Sequence, residues 1–239
     1  MTEAPEINLY ISIPSNRPWV GKFGTSAMGL TAYLAANGVK GHRFTGSFVR
    51  AWGQVSCLSE ARQMFVDEMI AKGFTHWLSL DDDMPFPANI VDMLAAHDKD
   101  VVAINARHKT NSEIKGSLLD FSGLPISSAG KSGLEPIYSM GGAIFLAKVS
   151  AFKHIPKPHF EVRWMPQQNR YLHEDRYFAQ VLHDAGAKMY CDHDASKTVF
   201  HVGEYDYGWP EVEASTQPAP VKESGEILEK LTLLSKKVA

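Results

Sequence analysis

The sequence predicts an α/β fold in which a mostly parallel central sheet is flanked by helices, with a smaller region in the second half. Three observations predict it. Short β-branched or apolar runs alternate with longer segments of helical period through the first hundred residues or so. The runs over 7–13 and 75–80 are predominantly apolar and read as buried strands. The run Leu78-Ser79-Leu80 then stops abruptly at Asp81-Asp82-Asp83, which puts three carboxylates beyond the carboxyl end of a strand, where such sheets collect ligands.

Residues 7–13 are β-branched and bounded by Pro14-Ser15-Asn16-Arg17-Pro18, so they form the first strand. Met28, Leu30, Leu34 and Ala35 give residues 25–37 a helical period, and a short strand follows over 42–49. Residues 56–72 form an amphipathic helix with Leu58, Ala61, Met64, Phe65, Met69 and Ile70 on one side and Gly73 in the stop position. A strand over 75–80 ends at the acids; a helix over 88–96 and a strand over 101–105 come next. Residues 107–137 are polar and rich in Gly, Ser and Lys, which predicts loops and a hairpin. A strand over 140–147 opens at Gly141-Gly142. Residues 152–170 mix Pro, His, Trp and Arg without a clear period. The helix over 173–185 presents Phe178, Val181, Leu182 and Ala185 and closes at Gly186; short strands over 188–191 and 198–202 complete the order. One domain over 1–210, a linker over 211–222 and an amphipathic tail helix over 223–239 are expected.

The chain of 239 residues is 44% hydrophobic, enough to bury a full core. Its 24 basic and 27 acidic side chains leave a net charge of -3, so no global field favours nucleic acid or an anionic membrane. Cys57 and Cys191 are far apart and outside any C-x-x-C pair, against structural zinc and a disulfide framework. The first residues carry acids where a signal peptide needs basic ones, and no run approaches the roughly 20 apolar residues of a membrane span. A soluble, cytoplasmic protein is expected.

Crowding Asp81, Asp82 and Asp83 costs Coulomb repulsion, and a hard divalent cation that can bridge to phosphate oxygens compensates it. The plainer alternative is a solvated loop whose last acid caps the helix beginning near Pro87. Glu174-Asp175 opens a well-formed helix, where backbone amides and the helix dipole hold a carboxylate, though acids in a first turn are also ordinary helix chemistry. His201 follows the last short strand as a metal ligand or a hydrogen-bonding residue.

In this order, the strand-end acids, the Gly141-Gly142 strand and the helix-opening Glu174-Asp175 resemble the GT-A glycosyltransferases, especially inverting family-2-like members, over roughly residues 7 to 203. The resemblance implies a GT-A-like, Rossmann-like domain that binds a nucleotide-sugar donor, with a UDP-sugar the first choice, on Mn²⁺ or Mg²⁺. It makes Asp81 and Asp83 the arms of a D-x-D motif, with Asp83, Asp81 and His201 toward the metal and Asp82 able to contact the nucleotide. Asp175, beside Glu174, would be the base that deprotonates the acceptor hydroxyl, with inversion the expected outcome and retention left open. Pro14 and Ser15 stand where the family seats the base. Arg62, in Glu60-Ala61-Arg62-Gln63, resembles its A-R-N helix with Gln63 in place of Asn; it would meet the diphosphate or the acids, or be a solvated helix residue. Gly141 and Gly142 would allow close approach to sugar or acceptor, or mark a bulge. Arg163 and Trp164 lie in the segment that usually shapes the acceptor pocket, as do Arg170 and Tyr171. Trp209 belongs to an aromatic segment, 204–209, that would close over the donor or pack on the surface.

The acceptor is not legible: glycan, protein, small molecule and hydroxymethylated DNA base all remain, the last as the minority reading because no strongly basic face is evident. Sugar-nucleotide pyrophosphorylases share the sheet but use a Gly-rich N-terminal loop that Pro14-Ser15-Asn16-Arg17 lacks. In haloacid-dehalogenase-type phosphatases Thr or Val follows the acids, where this chain has Pro85, and the P-loop pattern G-x-x-x-x-G-K-[ST] does not occur. A nucleotidyltransferase, or a non-catalytic nucleotide- or partner-binding protein on the same fold, is the alternative.

Overall fold

A computed structural model describes residues 4–52, 56–109, 115–203 and 206–209. In chain order the elements are β1 (Glu6–Pro14), α1 (Gly21–Asn37), β2 (Arg43–Trp52), α2 (Leu58–Ala71), β3 (His76–Leu80), α3 (Ile90–Ala95), β4 (Val101–Ala103), β5 (Leu134–Pro136) and β6 (Ile144–Lys148). Then follow β7 (Arg163–Met165), β8 (Arg170–Leu172), α4 (Glu174–Asp184), β9 (Met189–Asp192), α5 (His193–Ser196), β10 (His201–Val202) and β11 (Asp206–Tyr207).

The central sheet has seven strands in the order β2-β1-β3-β6-β4-β9-β5. Strands β2, β1, β3, β4 and β9 run one way; β6, wedged antiparallel between β3 and β4, and the edge strand β5 run the other. The predicted α/β class, a mostly parallel central sheet flanked by helices, is the class observed. The apolar residues of these strands divide between two cores. On one face Ile7, Leu9, Ile11, Ile13, Leu78 and Leu80 pack under Phe23, Leu30 and Leu34 of α1 and Ile90 and Leu94 of α3. The intervening residues Tyr10 and Trp77 point the other way, into Phe65, Val66 and Met69 of α2 and Phe178 and Leu182 of α4. Trp77 centres that second core, edge-on to Phe145 with ring centroids 4.8 Å apart, while its indole N–H donates to Ser12 Oγ at 2.8 Å.

Four details differ from the sequence reading. The buried face of α2 is Ala61, Arg62, Phe65, Val66 and Met69, whereas Leu58 and Met64 are exposed. The strand expected over 140–147 begins only at Ile144, because Gly142 turns its backbone toward α2 and α4 instead of a neighbouring strand. The described residues of 107–137 contribute the edge strand β5 and isolated antiparallel bridges, Arg107 with Gly116 and Leu119 with Pro125, while 110–114, within the stretch expected to hold a hairpin, lie outside the described residues. The aperiodic stretch before α4 contains the hairpin β7–β8, in which Trp164 pairs with Tyr171. The expected linker over 211–222 and tail helix over 223–239 lie outside the described residues. Among the described residues no helix is long and apolar enough to cross a membrane.

Candidate active site

Strands β1 and β3 pair in parallel, Leu9 with His76 through Ser12 with Ser79, so their carboxyl ends deliver Pro14-Ser15 and Asp81-Asp82-Asp83 side by side. The amide of Asp81 is tied to the carbonyl of Ala143 at 2.8 Å, which anchors the acidic turn to the start of β6. Around this junction lies a cavity of about 290 Å³ lined by Pro14, Ser15, Asp81, Asp82, Asp83 and His201, among others. The acids are not a solvated loop: Asp82 and Asp83 are buried, and Asp81 is half-buried against the cavity.

Each carboxylate has its own partners. Asp82 accepts from the Ser15 hydroxyl and from Arg17 Nη2 at 3.1 Å. Asp83 Oδ2 accepts from Arg17 Nη2 at 2.7 Å and from Lys109 Nζ at 2.6 Å, and its Oδ1 lies 3.5 Å from His201 Nε2. Burial works against ionisation of Asp83, but His201 and Lys109 together hold its carboxyl well below the usual range. Asp81 behaves oppositely. Burial pushes it up to about 7 against the attraction of Arg62, and the charges of Asp83 and Asp175 add to the rise.

His201 is oriented by the chain around it. Val202 donates its amide to the carbonyl of Asp83 at 2.9 Å, which seats β10 on the acidic turn. His201 Nδ1 lies 2.9 Å from the carbonyl of Arg107, an acceptor only, so Nδ1 carries the proton in the neutral ring. The Nε2 lone pair then faces Asp83 Oδ1. Two lone pairs aimed at each other need a proton or a cation between them.

Arg62 lies deeper. It is buried at 2% exposure and divides its guanidinium between Asp81 Oδ1 at 3.1 Å and Glu174 Oε1 at 3.2 Å, while among the described residues its Nε has no hydrogen-bond partner. The solvated-helix reading of Arg62 is therefore corrected. Its head lies against Gly142, where an added β-carbon would sit 2.2 Å from Nη1. The amide of Gly142 donates to Asp175 Oδ2 at 3.2 Å, and Asp175 Oδ1 accepts from the amide of Arg176 at 2.6 Å. Gly141 is similarly confined, with Ser117 Cβ 3.1 Å and Asp175 Oδ2 3.6 Å from the place of its missing β-carbon. The site thus runs from Ser15 through the acids and Arg62 to the opening turn of α4.

The acceptor-side candidates are dispersed. Trp164 is exposed and packs edge-on against Tyr171 at 5.0 Å. Arg163 pairs with Glu161 at 2.8 Å and lies over the ring of Tyr177 at 4.6 Å. Trp209 is buried, its indole N–H donating to the carbonyl of Asn105 at 2.6 Å, so it braces the end of β4 rather than presenting an open face. Residues 204 and 205 of the expected closing segment lie outside the described residues.

Two cations at the centre of the site were not singled out in the sequence. Arg17 follows β1 by a few residues, and the same strand-end rule that selected Ser15 extends to it. Lys109 comes from a polar loop far from the acids in sequence and carries no motif.

Among the described residues no group of three or more His, Cys, Asp or Glu side chains is arranged as a metal centre. The donor types nevertheless suit Mn²⁺ or Mg²⁺: the oxygens of Asp81 and Asp83 and the Nε2 lone pair of His201 line one cavity. Arg17 and Lys109 also pair with Asp83 at the edge of this donor set.

No family model and no curated protein matches the chain. Among solved structures, A197 from STIV is similar over 89% of this chain and all of its own, with 14% identity and a TM-score of 0.52. The catalytic domain of Drosophila β1,4-galactosyltransferase 7, in complex with xylobiose, is similar over 93% of this chain and 80% of its own, with 12% identity and a TM-score of 0.48. A nucleoside-diphosphate-sugar pyrophosphorylase from Vibrio cholerae gives 80% and 94% coverage, 12% identity and 0.45. These likenesses concern the fold. Fold and site together define an α/β protein with a mostly parallel central sheet and a cluster of acids at its strand ends.

Proposed function

We propose that this protein is a metal-dependent glycosyltransferase that moves a sugar from a nucleotide-sugar donor, first of all a UDP-sugar, to an acceptor hydroxyl with inversion. The observation that carries this reading is the convergence of Ser15, Asp81, Asp83 and His201 on one cavity, with Asp175 close enough for its charge to act on Asp81. Pro14 and Ser15 would border the nucleotide. Asp83 and His201, with Asp81, would hold Mn²⁺ or Mg²⁺, which when bound supplies Lewis-acid assistance to a departing diphosphate.

The chain's own groups account for the rest. Arg17 and Lys109 both pair with the cavity acid Asp83 and would meet the phosphate oxygens of the donor. Asp175 would take the acceptor proton, its carboxylate aimed by the amides of Gly142 and Arg176. Glu174 is committed to Arg62, so its part is to position the guanidinium beside Asp81.

The test is a panel of nucleotide sugars assayed for metal-dependent release of nucleoside diphosphate. A UDP-sugar that releases UDP only with Mn²⁺ or Mg²⁺ supports the reading. Release of pyrophosphate from a nucleoside triphosphate would favour a nucleotidyltransferase, and binding without any release would favour a non-catalytic protein on the same fold.

A further inference from the structure

We propose that a second cavity, walled by the β7–β8 hairpin and the opening turn of α4, binds the phosphate of a small phosphorylated acceptor on Arg170 and Arg176. The proposal deepens the glycosyltransferase reading and rests on it for the word acceptor. This cavity, of about 420 Å³, falls in the roughly 300–1,000 Å³ range of small-molecule sites and shares no lining residue with the acid cavity. Its walls include Tyr138, Ser139, Arg170, Tyr171, His173 and Arg176.

The charge balance of the walls points to an anion. Arg176 is half-buried, and among the described residues its guanidinium donates to neutral acceptors, the carbonyl of Ser117 at 2.6 Å and the hydroxyl of Ser139 at 3.3 Å. Arg170 donates Nε to the amide oxygen of Gln168 at 2.7 Å. Among the described residues neither arginine forms an ion pair. Burial and the positive charge of Arg170 both push Arg176 below its ordinary pKa, and the charge of Asp175 opposes them. Two guanidinium groups sharing a cavity whose described lining includes no carboxylate are stabilised by a ligand that brings negative charge, and their planar forks suit phosphate oxygens. Tyr138 and Tyr171 supply aromatic surface for the uncharged part of the same molecule.

Position ties this cavity to the proposed chemistry. Arg176 follows Asp175 directly, and Ser139 lies three residues before Gly142, whose amide holds Asp175. A compound anchored by its phosphate here would present its hydroxyl beside that carboxylate. The size of the cavity and the net charge of -3 favour a single small monoester over a polyanion.

The experiment titrates thymidine 5′-monophosphate, thymidine and a short DNA duplex into the protein, with UDP and Mn²⁺ present in excess to fill the first cavity. The monophosphate should bind and thymidine should not. Arg170→Ala, on the exposed hairpin, should weaken the monophosphate about tenfold, the loss expected for one charge-assisted hydrogen bond, and leave UDP binding as it was. Arg176→Lys should weaken it similarly, and Asp83→Asn should not. Equal binding of thymidine, indifference to Arg170→Ala, or loss in Asp83→Asn alone would overturn the proposal. Tight, steeply salt-dependent duplex binding that requires Arg170 would replace the small acceptor with nucleic acid and so overturn it too. If monophosphate binding depends on Arg170 but no nucleotide sugar is turned over, the donor reading falls and the anion site stands.

Discussion

The guanidinium of Arg62 fills the space that a β-carbon on Gly142 would need, with Nη1 and Nη2 at 2.2 and 2.3 Å from that point. Glycine here makes room for a buried side chain rather than for a left-handed turn. Because Arg62 also bridges Asp81 and Glu174, any side chain at position 142 must displace a buried ion pair. Gly142→Ala should therefore destabilise the protein by about 3–5 kcal/mol, the cost of breaking a buried pair from one side, as read by denaturant unfolding. Gly24→Ala, a helical position with nothing within 4 Å of its added carbon, should be neutral or mildly stabilising.

Lys109 and Asp83 give a second prediction. The ammonium 2.6 Å from Asp83 Oδ2 stands in competition with any divalent ion at that carboxylate. Lys109→Ala should raise the affinity for Mn²⁺ in the absence of nucleotide by about tenfold, a change of about 1.4 kcal/mol in isothermal titration. Unchanged affinity would mean that the lysine and the ion do not share Asp83.

The raised pKa of Asp81 sets a pH dependence. Between its ordinary 3.8 and about 7, the folded protein keeps a proton on Asp81 that the unfolded chain has released. The contribution of this group to stability therefore falls as pH rises across that window. Cation binding runs the other way, since it needs the ionised form: Mn²⁺ affinity should rise as pH passes through 7, and Asp81→Asn should flatten that rise. A titration series on either side of neutrality measures it.

Asp175 is held by two backbone amides, so its geometry does not depend on substrate. Asp175→Asn should leave UDP binding nearly unchanged and slow transfer by about 10²–10⁴-fold, the usual contribution of a general base. Transfer at the normal rate would remove Asp175 from that role.

Much of this was legible in the sequence, for physical reasons. Strands β1 and β3 are covered on both faces, so Ile7 to Ile13 and Trp77 to Leu80 show up as predominantly apolar runs, interrupted by Asn8, Ser12 and Ser79, and the acids beyond β3 mark its end. The opening of α4 at Glu174-Asp175 was visible from its period and its acids. The buried face of α2 was not: a core arginine looks like a solvated one until its partners, Asp81 and Glu174, are placed in space. Strand β6 began late because Gly141 and Gly142 serve side-chain packing rather than a ladder. Arg170 and Tyr171 stood in the segment that the resemblance gave to the acceptor pocket, but Lys109 beside Asp83, and the closing of that cavity by Tyr138 and Ser139, depend on contacts between distant segments, which no local pattern encodes.

The most direct measurement is isothermal titration of Mn²⁺ into the UDP-loaded protein, comparing the native chain with Asp83→Asn and His201→Ala. The account predicts one Mn²⁺ per chain for the native protein, weakened at least tenfold by either substitution. Binding of equal strength in all three proteins would contradict it, because the acid cluster would then hold no cation.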